Sequence, residues 1–84
     1  MKTEKEIDDL VSMEQERLPC LVEPRIVKGQ EGFIKGLKAG KNKEKQDLIV
    51  MIQKAEKKYA SLYSYLDRKY QDGYIGGLRT VLDD

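Results

Sequence analysis

The sequence contains no histidine and no tryptophan, and it has a single cysteine, Cys20. Histidine is the side chain whose ordinary pKa lies nearest neutrality, so its absence removes the commonest general base and the commonest metal ligand. A lone cysteine cannot form a disulfide within the chain, and without a histidine partner it lacks an activating base as a nucleophile. We therefore expect no enzyme, no metal site and no cofactor, with Cys20 as a small buried apolar residue.

Long apolar runs are also missing. The longest uninterrupted one covers 48–52, far short of the roughly 20 residues that a membrane helix needs. The first residues are acidic rather than apolar, which does not fit a secretory signal. Sixteen basic and fifteen acidic residues leave a net charge of +1, so no overall field directs the protein to nucleic acid or to a membrane. We expect a cytoplasmic protein without membrane contact.

With 84 residues, the chain has room for one domain, 1–84, with a thin core. Helical periodicity of its apolar residues predicts an all-α fold of three to four helices. Thr3 and Glu6 form a capping-box pattern that starts a helix over about 4–17. Pro24 suits the first turn of a second helix, which Gly40 can end.

A long third helix over about 43–71, capped by Asn42, is predicted from apolar residues at alternating steps of four and three. Such a helix would be about 43 Å long, with an apolar face wider than two short helices can cover. We therefore expect a homodimer or a higher oligomer. Beyond Gly73 the pattern continues, either as a kinked extension or, as we favour, as a short fourth helix. The seam consists of Leu48, Ile52, Ala55, Tyr59, Leu62 and Leu66.

An internal repeat relates residues 28–38 to residues 69–79, at an offset of 41. Both segments follow the pattern Lys-x-Gln-acid-Gly-aromatic-Ile-x-Gly-Leu-basic, and six of their eleven aligned positions are identical. Two copies are too few for a solenoid. They are consistent with a pseudo-symmetric pair of helical hairpins, roughly 1–41 and 42–84.

Glycines spaced four apart within the repeat form a stripe that lets another backbone approach closely. Each costs about 1 kcal/mol of helix propensity relative to alanine, so some contact must compensate. We favour the interpretation in which the two glycine helices pack against each other or against the third helix. The alternative is a groove between them for a partner helix or a small ligand. On the second helix the stripe consists of Gly32, Gly36 and Gly40. The candidate partner-binding glycines, which we call the stripe glycines, are Gly32, Gly36, Gly73 and Gly77.

All five tyrosines lie between positions 59 and 74. A tyrosine combines a rigid apolar ring with a polar tip, which suits both core filling and protein interfaces. Four of them can share one broad helical face, and Tyr65 is then the one expected to be most exposed. Candidate partner-binding residues are the four stripe glycines together with Tyr59, Tyr63, Tyr65, Tyr70 and Tyr74.

Lysines are concentrated around the predicted turn between the second and third helices. A solvated turn is the favoured interpretation, and a phosphate-binding patch is the alternative. Lysine supplies charge but not the bidentate base readout of arginine. The patch consists of Lys35, Lys38, Lys41, Lys43 and Lys45. A separate anion-binding set, for a nucleotide held by the glycine helices, consists of Lys28, Lys38, Lys69 and Arg79.

These features favour a non-catalytic protein-interaction module: an adaptor, an inhibitor or an assembly factor that binds a protein partner. In size, charge and simplicity the chain is similar in style to the small accessory proteins of bacteriophages and mobile elements, a likeness of type and not of motif. The alternatives are a nucleic-acid-binding protein that uses the lysine patch, and a binder of small anionic ligands.

Overall fold

The computed structural model describes residues 1–83, and these residues contain helices but no strand. The all-α prediction is confirmed, with four helices. They are α1 (Glu4–Arg17), α2 (Pro24–Gly40), α3 (Lys45–Ser61) and α4 (Tyr65–Leu82), and a short 3-10 turn (Leu18–Cys20) follows α1.

The first two helices begin and end where the sequence predicts. At the start of α1, Glu6 N donates to Thr3 Oγ1 (3.2 Å) and Thr3 N donates to Glu6 Oε1 (3.1 Å), which completes the capping box. These two bonds satisfy backbone N–H groups that a helix start otherwise leaves without partners. Pro24 is the first residue of α2, and Gly40 is its last.

The single long helix over 43–71 is wrong, because the chain breaks into α3 and α4 at residues 62–64. Leu62 is extended, with φ −84° and ψ 139°. Ser64 then caps α4 by accepting a hydrogen bond from Asp67 N. The side chain of Arg68 donates to Leu62 O at 2.9 Å. Serine followed three residues later by an acid is a helix-start signal, and here it overrides a heptad pattern that runs through the break.

The predicted short helix after Gly73 is instead the second half of α4, which continues through the glycines to Leu82. Asn42 does not cap α3, whose N-cap is Glu44. It has a φ of +65° just after α2, a left-handed conformation that asparagine tolerates better than most residues. It therefore ends one helix rather than starting the next.

The two halves of the chain form the predicted pair of helical hairpins, α1–α2 and α3–α4. Both α3 and α4 begin 41 residues after their counterparts, so the repeat offset extends well beyond residues 28–38. Equivalent backbone hydrogen bonds form just before the first helix of each hairpin. Lys2 N donates to Val81 O (3.0 Å), and Lys43 N donates to Gly40 O (3.2 Å). The first of these bonds joins the start of the chain to the end of α4.

One hydrophobic core runs through both hairpins. Its fully buried side chains include Ile7 and Leu48, which hold equivalent positions in the two halves, and likewise Leu37 and Leu78. The Cα trace measures 32 × 31 × 15 Å, so the bundle is flat. Across residues 1–83, no helix combines the length and the apolarity that a membrane crossing requires.

Candidate functional site

The closest contact in the molecule is between α2 and α4, at the glycines of the repeat. A Cβ added to Gly32 would lie 2.8 Å from the carbonyl carbon of Tyr70, and one added to Gly77 would lie 2.7 Å from Leu37 N. Only glycine allows two helix backbones to approach this closely. The packing energy of this crossing compensates for the low helix propensity of its glycines.

The crossing contacts are reciprocal. Gly32 faces Tyr70 and Gly73 faces Gly29, and these pairs exchange under the 41-residue offset. Gly36 facing Tyr74 and Gly77 facing Phe33 form a second exchanged set. Contacts advance along both helices in the same direction, so α2 and α4 are parallel and related by a pseudo-two-fold axis.

Of the two interpretations of the stripe, the structure shows the intramolecular one. The backbone of the other helix occupies the space that a side chain would take at Gly32, Gly36, Gly73 and Gly77. This leaves no groove for a partner helix or a small ligand at these four positions. The prediction that these glycines bind a partner is therefore not supported, because their role in this fold is to let α2 and α4 touch.

Because α2 and α4 are parallel, their N-terminal ends lie at the same end of the bundle. Exposed apolar side chains accumulate there, and Val22 and Tyr63, which are equivalent under the repeat, are 92% and 100% exposed. Ile26 and Leu66 lie one turn before the first close contacts of their helices, on the facing sides. We call this surface the apolar end; it consists of Val22, Ile26, Tyr63, Tyr65 and Leu66.

Basic side chains border the apolar end. Lys69 Nζ lies 5.4 Å from the centre of the Tyr65 ring, within cation–π range. A hydrogen bond from Arg25 lowers the pKa of the Tyr65 phenol, and the charge of Lys69 acts in the same direction. The same hydrogen bond, together with Glu23, raises the pKa of Arg25. The contact between Arg25 and Tyr65 joins the starts of α2 and α4.

The tyrosines do not share one face, because the break before α4 separates them. Tyr59 is half-buried on α3 under the Arg68 guanidinium, at 5.5 Å. Tyr70 and Tyr74 are half-buried on α4. Tyr65 was expected to be the most exposed, but at 55% it is less exposed than Tyr63 in the linker.

The predicted lysine patch is divided among separate contacts. Lys41 pairs with Asp8 (2.6 Å) and Glu4 (3.6 Å) and so joins α2 to the acidic α1. Lys35, Lys38, Lys43 and Lys45 are all exposed, and Lys35 also lines a cavity. The proposed anion set is also divided, since Lys28 pairs with Glu31, Lys69 covers Tyr65, and Arg79 pairs with Glu56.

That cavity, which we call the lysine cavity, has a volume of about 450 Å³ and lies between α2, α3 and α4. Its lining includes three exposed lysines, of which sequence reasoning found only Lys35. Aligning α3 with α1 at the repeat offset would have revealed Lys54 and Lys58, which replace Met13 and Arg17. The lining residues are Lys35, Met51, Lys54, Ala55, Lys58, Tyr70, Gln71 and Tyr74.

Within residues 1–83, no group of three or more cysteine, aspartate or glutamate residues is arranged to hold a metal ion. Cys20 is exposed at the end of the 3-10 turn, so its expected burial is wrong.

Comparison of the chain with protein-family models, with curated proteins and with solved structures finds no match.

Proposed function

We propose that this chain is a non-catalytic binding protein that captures a partner protein at the apolar end. One observation carries the proposal. Of eight large apolar side chains exposed on residues 1–83, five belong to the apolar end. Single exposed apolar residues are normal on a soluble protein, whereas a cluster of them is typical of an interaction site.

The composition of the apolar end supports this function. Its two tyrosines bury a large area with little loss of side-chain entropy when a partner binds. Ile26 and Leu66 lie on helix starts whose separation is set by the glycine crossing, so this part of the surface is organised before binding. Arg25 and Lys69 at its border favour a partner segment that carries acidic residues beside apolar ones.

The experiment is a binding measurement with the double variant Val22→Ser/Tyr63→Ser. A photo-crosslinking residue at position 63 first identifies the proteins that contact the apolar end in an extract of the source cell. Affinity for the purified partner is then measured by calorimetry. We expect the double variant to bind at least tenfold more weakly, which corresponds to about 1.4 kcal/mol.

The matched control is Met13→Ser/Val50→Ser, which also removes two exposed apolar side chains, on α1 and α3. It should leave affinity unchanged. Equal affinity of the double variant and the unmodified chain overturns the proposal.

Light scattering across a concentration range tests whether a second copy occupies the apolar end. The predicted homo-oligomer rested on the surplus apolar face of one long helix, and the break at 62–64 removes that argument. A monomer at all concentrations is consistent with the proposal. A dimer that Val22→Ser/Tyr63→Ser dissociates shows self-association at this surface, which overturns capture of a different protein there.

A further inference from the structure

We propose that the lysine cavity is a second binding site, for a small organic phosphate of the nucleoside mono- or diphosphate class. It is separate from the apolar end and from the glycine stripe. The inference rests on three observations: the unpaired charge in the cavity, the contrast with the equivalent position of the first hairpin, and the size and aromatic content of the cavity.

The charge in the cavity has no counterpart within the chain. Lys54 and Lys58 lie one turn apart on α3, and Lys35 reaches the cavity from α2. In the described part of the chain, none of these three ammonium groups pairs with a carboxylate. Like charges around one cavity repel one another, and an anion with two or more negative charges relieves that repulsion. Lysine binds phosphate as a point charge, without a fixed geometry.

The first hairpin shows how the same position is closed. There Glu14 is 9% exposed, its carboxylate accepts a hydrogen bond from Gln30, and Arg17 lies 3.4 Å from it. The protein thus supplies its own carboxylate beside the basic side chain of α1. Ala55 holds the position of Glu14 in the second hairpin, so the carboxylate is missing there, and Ala55 lines the cavity.

A second difference adds charge on the opposite wall. Gly76 lies against Phe33 in the first hairpin, where a Cβ would be 3.7 Å from the ring. Gly76 belongs to α4, and its equivalent on α2 is Lys35, which lies with Tyr74 of the second hairpin in the cavity lining. Between the two halves the repeat has therefore lost an acid and gained basic groups at one site.

The volume and the rings of the cavity indicate the kind of anion. A volume of about 450 Å³ falls within the range of small-molecule sites and exceeds what inorganic phosphate fills. Tyr70 and Tyr74 are half-buried and present ring surface beside the charged groups, and bases stack on such rings. A phosphate group near Lys54 and Lys58 with a flat base near the tyrosines matches this arrangement.

The test is calorimetry of the unmodified chain with ADP and GDP, with adenosine and guanosine as uncharged probes. We expect at least one nucleotide to bind, at least tenfold more tightly than its nucleoside, with affinity that falls as salt rises. Lys54→Gln/Lys58→Gln should weaken binding at least tenfold. The matched control Lys45→Gln/Lys57→Gln removes the same charge from the same helix outside the cavity and should retain affinity.

Ala55→Glu copies the first hairpin, because it introduces at position 55 the acid that Glu14 supplies at the equivalent position. The variant should fold, as judged by its circular dichroism, and should lose nucleotide binding. Three results overturn the proposal: no binding of either nucleotide, equal binding of nucleotide and nucleoside, or unchanged affinity in Lys54→Gln/Lys58→Gln. Binding of single-stranded RNA without binding of the mononucleotides also overturns it.

Discussion

The two hairpins share a framework and differ at the surface. Equivalent residues bury the core, with Ile34 and Ile75 beside Leu37 and Leu78, and equivalent glycines form the crossing. Outside these positions the halves have diverged: α1 carries a buried acid, whereas α3 carries lysines around a cavity. The comparison teaches that the repeat conserves what joins the halves, and that any function specific to one half lies where the repeat is broken.

The glycine crossing gives the largest expected effect. Gly32→Ala and Gly73→Ala each place a Cβ inside the backbone of the other helix, so each should lower the free energy of unfolding by more than about 3 kcal/mol. Because the crossing is two-fold, the two losses should be similar. Urea denaturation followed by circular dichroism measures both.

The control for that prediction is Gly76→Ala, where the new Cβ meets only the Phe33 ring at ordinary contact distance. It should stabilise the chain by up to about 1 kcal/mol through helix propensity. Loss of stability in all three variants would mean that helix glycines are required for a reason other than close approach.

The buried acid of the first hairpin gives the next effect. Glu14→Ala leaves Gln30 without its hydrogen-bond partner and opens space beside Arg17, so we expect a loss of about 1–3 kcal/mol. The same denaturation experiment measures it. An unchanged free energy of unfolding would show that the first hairpin does not need Glu14, just as the second hairpin folds without an acid at this position.

The caps of α2 and α4 differ in a way that gives a smaller effect. Ser64 caps α4 with its side chain, whereas Glu23 at the start of α2 makes no such bond. Ser64→Ala should cost about 1 kcal/mol. Glu23→Ser, which installs the missing cap, should raise the melting temperature. If Ser64→Ala has no effect, the break before α4 depends on Arg68 and the linker instead.

The ion pair between α1 and α2 gives the smallest effect, because it is exposed. Asp8, and to a lesser degree Glu4, raise the pKa of Lys41 above its usual value of 10.5. Any stabilisation is therefore fully present below pH 10.5 and is lost as the pH rises through the folded pKa. Lys41→Leu, which copies Leu82 of the second hairpin, should change the melting temperature little, and less still in 1 M salt.

The strongest local signals predicted helices well. Thr3 with Glu6 and Pro24 fixed the starts of α1 and α2, because capping and proline geometry act within a few residues. The long helix failed because its apolar spacing continues across 62–64, where Ser64 and Asp67 define a new start. Periodicity reports which residues face a core, and it is silent about whether the backbone between them is continuous.

For the candidate surfaces, sequence reasoning found residue types more readily than neighbours. Tyr63 and Tyr65 were identified, but Val22 and Ile26 were not, because nothing local brings them to the same end as the tyrosines. Lys54 and Lys58 were missed for the same reason. Their neighbour in the cavity, Lys35, lies on a different helix.

The sequence by itself determined an all-α chain, a repeat at an offset of 41 and the glycines through which its copies approach. These depend on composition, capping and spacing, which are local properties of the chain. Only the tertiary structure decided that α2 and α4 lie parallel, that their N-terminal ends gather the exposed apolar side chains, and that Ala55 opens a cavity beside three lysines. Those outcomes depend on contacts between residues far apart in sequence, and close backbone packing at the crossing fixes them.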